Sequence, residues 1–352
     1  MNHPIRRSLP VMLVALAGLS FGLPAALGQD KAPPPTALNV PADPSNAALV
    51  YWRVWALESP TLADKIKEQY DGQRGVAPDS ELATLLREPE TRGTIHQLLA
   101  ASRLAECDFG IVYSDGFMAL LPHLSKFRAS VRLLGADAAL ASAEGRHDDA
   151  AERIAAIYRM SRQLSGDRVL ISSLVSAACI SVGHTRVRDM AAKSQLTREQ
   201  AIAIDAELAR FDLHDPFGMR ASAAAEGGVA VAWIERTYTG PDAGARLADT
   251  ILDPEVVSDV GVTPIIRAMN EDSLHASLGD VRRYYDACLA VYDPTNPASA
   301  DALESLATDL KAGKFGPLPQ AIAPSMVRVL QSDRKNRVEI DEVRTILRGF
   351  IR

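Results

Sequence analysis

The stretch CDFGIVYSDGFMALLPHLSKF, residues 107–127, holds the densest group of side chains with chemical potential in this chain. It contains a thiol, two aspartates, a tyrosine and a histidine. Such groups bind polar ligands or transfer protons when they converge on one pocket. Their spacing here selects no particular reaction.

Two interpretations of residues 107–127 are open, and we favour the first. In the structural interpretation this is the corner between two helices, where Gly110 and Gly116 give backbone freedom, Ser114 and Asp115 form turns, and Pro122 starts the next helix. In the functional interpretation, polar side chains line a pocket at the 107–132 corner. The candidate ligand-binding residues are then Asp108, Tyr113, Asp115 and His123, with Arg128 or Arg132 one or two turns along the helix.

Familiar catalytic signatures occur without their required context. Residues 108–110 spell the metal-binding triplet of protein kinases, but the chain has no Gly-rich phosphate loop or H-R-D loop. Residues 332–335 match S-x-x-K without its S-D-N and K-T-G partners, so we interpret them as a solvated helix face. No H-E-x-x-H and no C-x-x-C occurs, which makes a locally encoded zinc site unsupported. We therefore assign no catalytic residue, no metal and no cofactor.

The N-terminus has the pattern of an export signal. Arg6 and Arg7 precede an uncharged apolar run, 11–23, and the small residues at 26 and 28 suit a signal peptidase. The apolar run is too short for a transmembrane helix. We predict a signal peptide over 1–28, cleaved near Gly28, and a periplasmic or extracellular mature protein. The Sec and twin-arginine routes are both open.

Charge and cysteine content limit the partners and the redox chemistry. The formal net charge of −6 gives no basic surface for nucleic acid. Three cysteines, Cys107, Cys179 and Cys288, leave at least one thiol unpaired, and a disulfide between two of them stays open.

Apolar residues recur with a helical period along the rest of the chain, so we predict an all-α fold of packed antiparallel helical hairpins. After a Pro-rich tether, 29–43, we expect a main helical domain over 44–240. An irregular linker follows at 241–263, broken by Gly, Pro and Asp, and a C-terminal helical region at 264–352 packs on the main domain. The segment 169–183 carries no charge, which predicts a helix buried on nearly all sides and ending near His184.

The helices around EGRHDDA, residues 144–150, resemble a tetratricopeptide unit, since one ends at Gly145 and Ala150 follows five residues later. Ala138 and Arg162 depart from that pattern, and no second copy follows at a fixed period. Residues 107–110, 121–124 and 170–175, with this hairpin, also resemble an uncharacterised group of exported bacterial helical proteins. That likeness covers about residues 45–240 and implies a helical fold and export, with no known activity.

Two hypotheses of function follow. The first is a non-catalytic interaction or structural protein of the bacterial cell envelope, whose helical hairpins hold a protein or peptide partner. The alternative is a small-ligand-binding protein or enzyme that uses the polar pocket at the 107–132 corner.

Overall fold

The computed structural model describes residues 44–58, 60–70, 75–251 and 261–352. The predicted signal peptide and tether lie outside these ranges, and export stays a prediction. Every regular element in the described ranges is a helix, and the β-type pairing there is limited to one bridge between Asn46 and Glu106. The all-α prediction is confirmed.

The region predicted as the main domain consists of helices and two short 3₁₀ turns. One turn spans Tyr113–Met118, before the helix His123–Ala143, and the other spans Ser165–Asp167, before the helix Leu170–Ala192. The helices are α1 (Ala47–Leu57), α2 (Pro60–Gln69), α3 (Glu81–Arg87), α4 (Pro89–Ser102), α5 (His123–Ala143), α6 (His147–Leu164), α7 (Leu170–Ala192), α8 (Arg198–Leu208) and α9 (Met219–Thr237).

Six further helices follow in the described residues, and the first of them lies in the segment that we expected to be irregular. They are α10 (Ala243–Ile251), α11 (Thr263–Arg267), α12 (Glu271–Val291), α13 (Ala298–Lys311), α14 (Pro317–Ile322) and α15 (Met326–Ile351). Helix α10 falls inside 241–263 because Ala243, Leu247 and Ala248 repeat at helical spacing and bury one face. The linker prediction is therefore wrong for α10, and residues 252–260 lie outside the described ranges.

Helices α5 and α6 form the predicted antiparallel hairpin. Gly145 adopts a φ of +76° directly after α5, the left-handed conformation that glycine accepts most readily. Asp137 of α5 is fully buried and accepts hydrogen bonds from Arg153 Nε at 2.8 Å and from Arg92 Nη1 of α4 at 2.8 Å. Asp137 and Arg153 lie at equal distances before and after Gly145, as antiparallel neighbours must. The pair of arginines compensates the buried carboxylate and joins α4 to the hairpin.

Helix α7 is the central helix of the fold. It packs against α5, α6, α9 and α15. By length and composition alone it is apolar enough to cross a membrane, but most of its apolar stretch is buried inside the protein. The prediction of burial on nearly all sides holds for most of the helix but not for Ile171, which is about half exposed, and the predicted end at His184 is wrong. His184 lies inside the helix, where its Nδ1 is 3.0 Å from the Tyr158 hydroxyl and burial lowers its pKa to about 3.

The C-terminal helix α15 contacts the main domain through α7 and α8. Arg344 of α15 donates a hydrogen bond to Asp205 of α8 at 2.7 Å. Our interpretation of residues 332–335 as a solvated face is wrong for Asp333, which is fully buried and accepts a hydrogen bond from Tyr292 at 3.0 Å. Burial raises the pKa of Asp333 to about 7. Apolar side chains from α1 through α15 form one continuous core.

Candidate functional site

The segment from Arg103 to Pro122 joins α4 to α5, so residues 107–127 do form a corner between helices. Asn46 fixes its first half. The Asn46 Oδ1 accepts from the Ala48 amide at the start of α1 and from the Asp108 amide, and its Nδ2 donates to the Asp108 carbonyl. The cap of α1 therefore also positions the chain at Asp108.

Asp167 fixes the second half of the corner. The Tyr113 hydroxyl donates to the Asp167 carbonyl, and the His123 Nε2–H donates to the buried Asp167 carboxylate at 2.8 Å. The His123 ring also stacks on Phe109, with ring centroids 4.3 Å apart. One aspartate thus connects the turn between α6 and α7 to two points of the corner.

Gly116 lets the corner approach α9 closely. Its φ of +57° and ψ of −127° are accessible to glycine, and an added Cβ would lie 2.2 Å from the Cγ of Trp233. Phe117 packs edge-on against the same indole, with ring centroids 5.7 Å apart. Arg236 of α9 donates a hydrogen bond to the Ser114 carbonyl. The 3₁₀ turn Tyr113–Met118 is therefore held against α9 at Ser114, Gly116 and Phe117.

A cavity of about 320 Å³ lies between the corner, the start of α7 and α9. This volume is near the lower end of the ~300–1,000 Å³ range of small-molecule sites. Most of its walls are apolar. The lining residues are Ile111, Tyr113, Gly116, Phe117, Ala119, Leu121, Arg168, Val169, Leu170, Ile171, Leu174, Glu226, Val229 and Ala230. We call this cavity the corner pocket.

Large apolar side chains are exposed in and around the corner pocket. Leu120 is 84% exposed, and Val112, Met118 and Ile171 are each about half exposed. The 3₁₀ turn and its flanks thus contain a much denser run of exposed apolar side chains than the rest of the described surface. Exposed apolar surface of this kind marks binding sites more often than scattered single residues do.

Two charged side chains contribute to the lining of the corner pocket. Arg168 is exposed and lies between the 3₁₀ turn Ser165–Asp167 and α7. Its backbone is left-handed, with φ of +55°. Glu226 of α9 is partly buried, and one of its oxygens lies 3.4 Å from the Leu170 amide at the start of α7. Burial raises the pKa of Glu226, and this amide lowers it in part.

The structure brings together only two of the predicted polar residues. Tyr113 lines the corner pocket, and His123 lies buried behind it on the same Asp167. Burial raises the pKa of Tyr113, and the Asp167 and Asp108 carboxylates raise it further.

The other candidates lie apart from the pocket. Asp108 is exposed, and its Oδ1 accepts from the Gly110 amide at 2.8 Å, which forms a local turn. Asp115 is exposed and Arg132 is partly buried on α5, and neither lines the corner pocket. The polar convergence that the functional interpretation requires is therefore absent among these described residues, and the pocket is mainly apolar.

Sequence reasoning missed Asp167, Arg168 and Glu226. The first two mark a break before the charge-free segment 169–183, which was the available signal. Glu226 is a single carboxylate in an alanine-rich helix and gave none. All three meet residues 107–127 only through long-range packing.

The three cysteines are free thiols, which settles the open disulfide question. Burial raises the pKa of Cys107 to about 12, and the nearby Asp167 and Asp108 carboxylates act in the same direction. A thiol with so high a pKa is a poor nucleophile at neutral pH. In the described part of the chain, no group of three or more His, Cys, Asp or Glu residues is placed to hold a metal ion.

Comparison of the chain with protein-family models, with curated proteins and with solved structures gave no match in any of the three. The tetratricopeptide likeness and the likeness to exported helical proteins therefore stay predictions.

Replacing Gly116 by alanine should destabilise the corner through both its backbone and its contact with Trp233. Gly110 is the matched control, since it also has a positive φ, +69°, but its added Cβ would meet nothing within 4 Å. In urea unfolding we expect Gly116→Ala to cost about 1–3 kcal/mol more than Gly110→Ala, because only the first overpacks a buried contact. Equal losses would show that the approach to Trp233 does not constrain the corner.

Proposed function

We propose that this chain is a non-catalytic binding protein of the bacterial cell envelope and that the corner pocket takes the apolar part of a small ligand. The observation that carries this proposal is the apolar cavity of about 320 Å³ at the corner, with exposed apolar side chains around it. Pockets with apolar walls and a few polar groups are the usual sites for small molecules. The envelope location rests on the predicted signal peptide.

The polar groups at the corner support binding rather than a reaction. The Asp167 carbonyl and one of its carboxylate oxygens accept hydrogen bonds from Tyr113 and His123, and Asp108 closes a turn. Burial strongly raises the pKa of Cys107, the cysteine of the 107–127 stretch. An enzyme needs a base or nucleophile free to reach its substrate, whereas Asp108, Tyr113 and His123 make structural contacts.

Binding of the apolar dye N-phenyl-1-naphthylamine tests this proposal. The wild type should show saturable fluorescence enhancement. Val229→Trp should weaken binding by about tenfold or more, because an indole in place of Val229 fills the cavity and displaces the dye. The control is Val338→Trp, at an exposed position on α15 that does not line the pocket. Dye binding that is absent in the wild type, or equally strong in Val229→Trp, would contradict the proposal.

A protein or peptide partner is the second candidate, and the exposed apolar side chains favour it. Leu120, Met118 and Val112 project from the corner at high exposure and do not line the cavity. Side chains of this kind become buried when a partner docks.

A pull-down from an envelope extract separates this second candidate from the first. A true partner should be recovered with the wild type and with Ile202→Asp, an exposed apolar control on α8. It should be lost with Leu120→Asp, because a charge at the centre of the apolar surface would have to be desolvated on docking. A protein retained equally by all three forms is not a ligand of the corner.

A further inference from the structure

The carboxylate of Glu226 lines the corner pocket without a cationic partner in the described part of the chain. Its carboxylate is partly buried among apolar walls, and its one resolved hydrogen bond is the long contact of 3.4 Å with the Leu170 amide. No cationic side chain among the described residues forms an ion pair with it. A carboxylate taken from water without a cation costs free energy, which a cation supplied by a ligand would offset.

Arg168 is in the opposite situation. It also lines the pocket, but it is exposed, so water solvates its guanidinium and no ligand anion is required to balance it. Of the two charged lining residues, Glu226 is therefore the one whose charge is stabilised most by a charged ligand. A complementary ligand is positively charged near Glu226.

The walls of the pocket suit a cation attached to an apolar body. Tyr113 and Phe117 contribute aromatic rings, whose faces attract ammonium groups. Leu121, Ile171 and Leu174 supply aliphatic surface for a hydrocarbon chain.

We propose that the corner pocket binds a small alkylammonium compound, whose ammonium group pairs with Glu226 and whose chain packs against the apolar walls. This inference rests on the proposed function, because it requires that the corner pocket take an apolar ligand. It assigns Glu226 as the specificity-determining residue of that site.

Isothermal titration with three probes of equal chain length tests the proposal. The probes are octylammonium, octanol and octanoate, titrated into the wild type at neutral pH. We expect octylammonium to bind about tenfold or more tightly than octanol, since a hydrogen-bonded ion pair adds to the same apolar contact, and octanoate to bind most weakly.

Two variants locate the charge that selects the ligand. Glu226→Gln keeps an oxygen acceptor for the Leu170 amide, and it should lower the affinity for octylammonium to about that for octanol in the same variant. Arg168→Gln, at the other charged lining position, should retain the preference. Thermal unfolding of both variants checks that they are folded, and if Glu226→Gln is not, the ranking of the probes on the wild type decides alone.

The outcomes separate this inference from the proposed function. If octanol binds and octylammonium binds no more tightly, or if octanoate binds best, the inference is overturned while the apolar pocket stands. The inference also fails if the preference for octylammonium survives in folded Glu226→Gln. If none of the three probes binds, the proposed function itself fails.

Discussion

The geometry of the corner depends on Asp167. This buried residue ends the 3₁₀ turn after α6, and it accepts hydrogen bonds from Tyr113 through its carbonyl and from His123 through its carboxylate. A buried carboxylate requires such donors, since an unpaired one is expensive. The same contacts hold the chain between α4 and α5 in front of α7, which creates the cavity. Tyr113 and His123, two of the candidate ligand-binding residues of the sequence, thus both make structural contacts with Asp167.

The helices around Asp167 give it a rigid frame. Asp137 with its two arginines locks the α5–α6 hairpin to α4, and α7 is surrounded by α5, α6, α9 and α15. Removing one partner of such a buried ion pair would leave an uncompensated buried charge, which is strongly destabilising. The segment before α5 is held against this frame through Asp167 and Trp233, while its side chains Val112, Met118 and Leu120 are exposed.

Local patterns predicted the helices well and the site poorly. The position of Gly145 after α5 follows from a rule that acts within a few residues. Local rules misplaced the end of α7 at His184. They treat a histidine beside arginines as a cation that suits the end of a helix, but His184 is buried inside the helix and hydrogen-bonded to Tyr158. They also missed α10, whose short apolar face was hidden among Gly, Pro and Asp.

The corner pocket itself is a product of tertiary packing. Glu226 lies on α9 and Arg168 lies in the turn before α7, and Gly116 meets Trp233 more than a hundred residues along the chain. No periodicity or spacing encodes such encounters. The stretch 107–127 was singled out by residue type, and its apolar members contribute more of the cavity wall than its polar ones.

Hydrogen–deuterium exchange of Asp167→Ala tests most directly whether Asp167 holds the corner in place. We predict that the amides of residues 111–121 exchange about tenfold or more faster than in the wild type, because the carboxylate that anchors His123 is gone, while the α5–α6 hairpin keeps its protection. Unchanged protection of residues 111–121 in a folded variant would contradict the account.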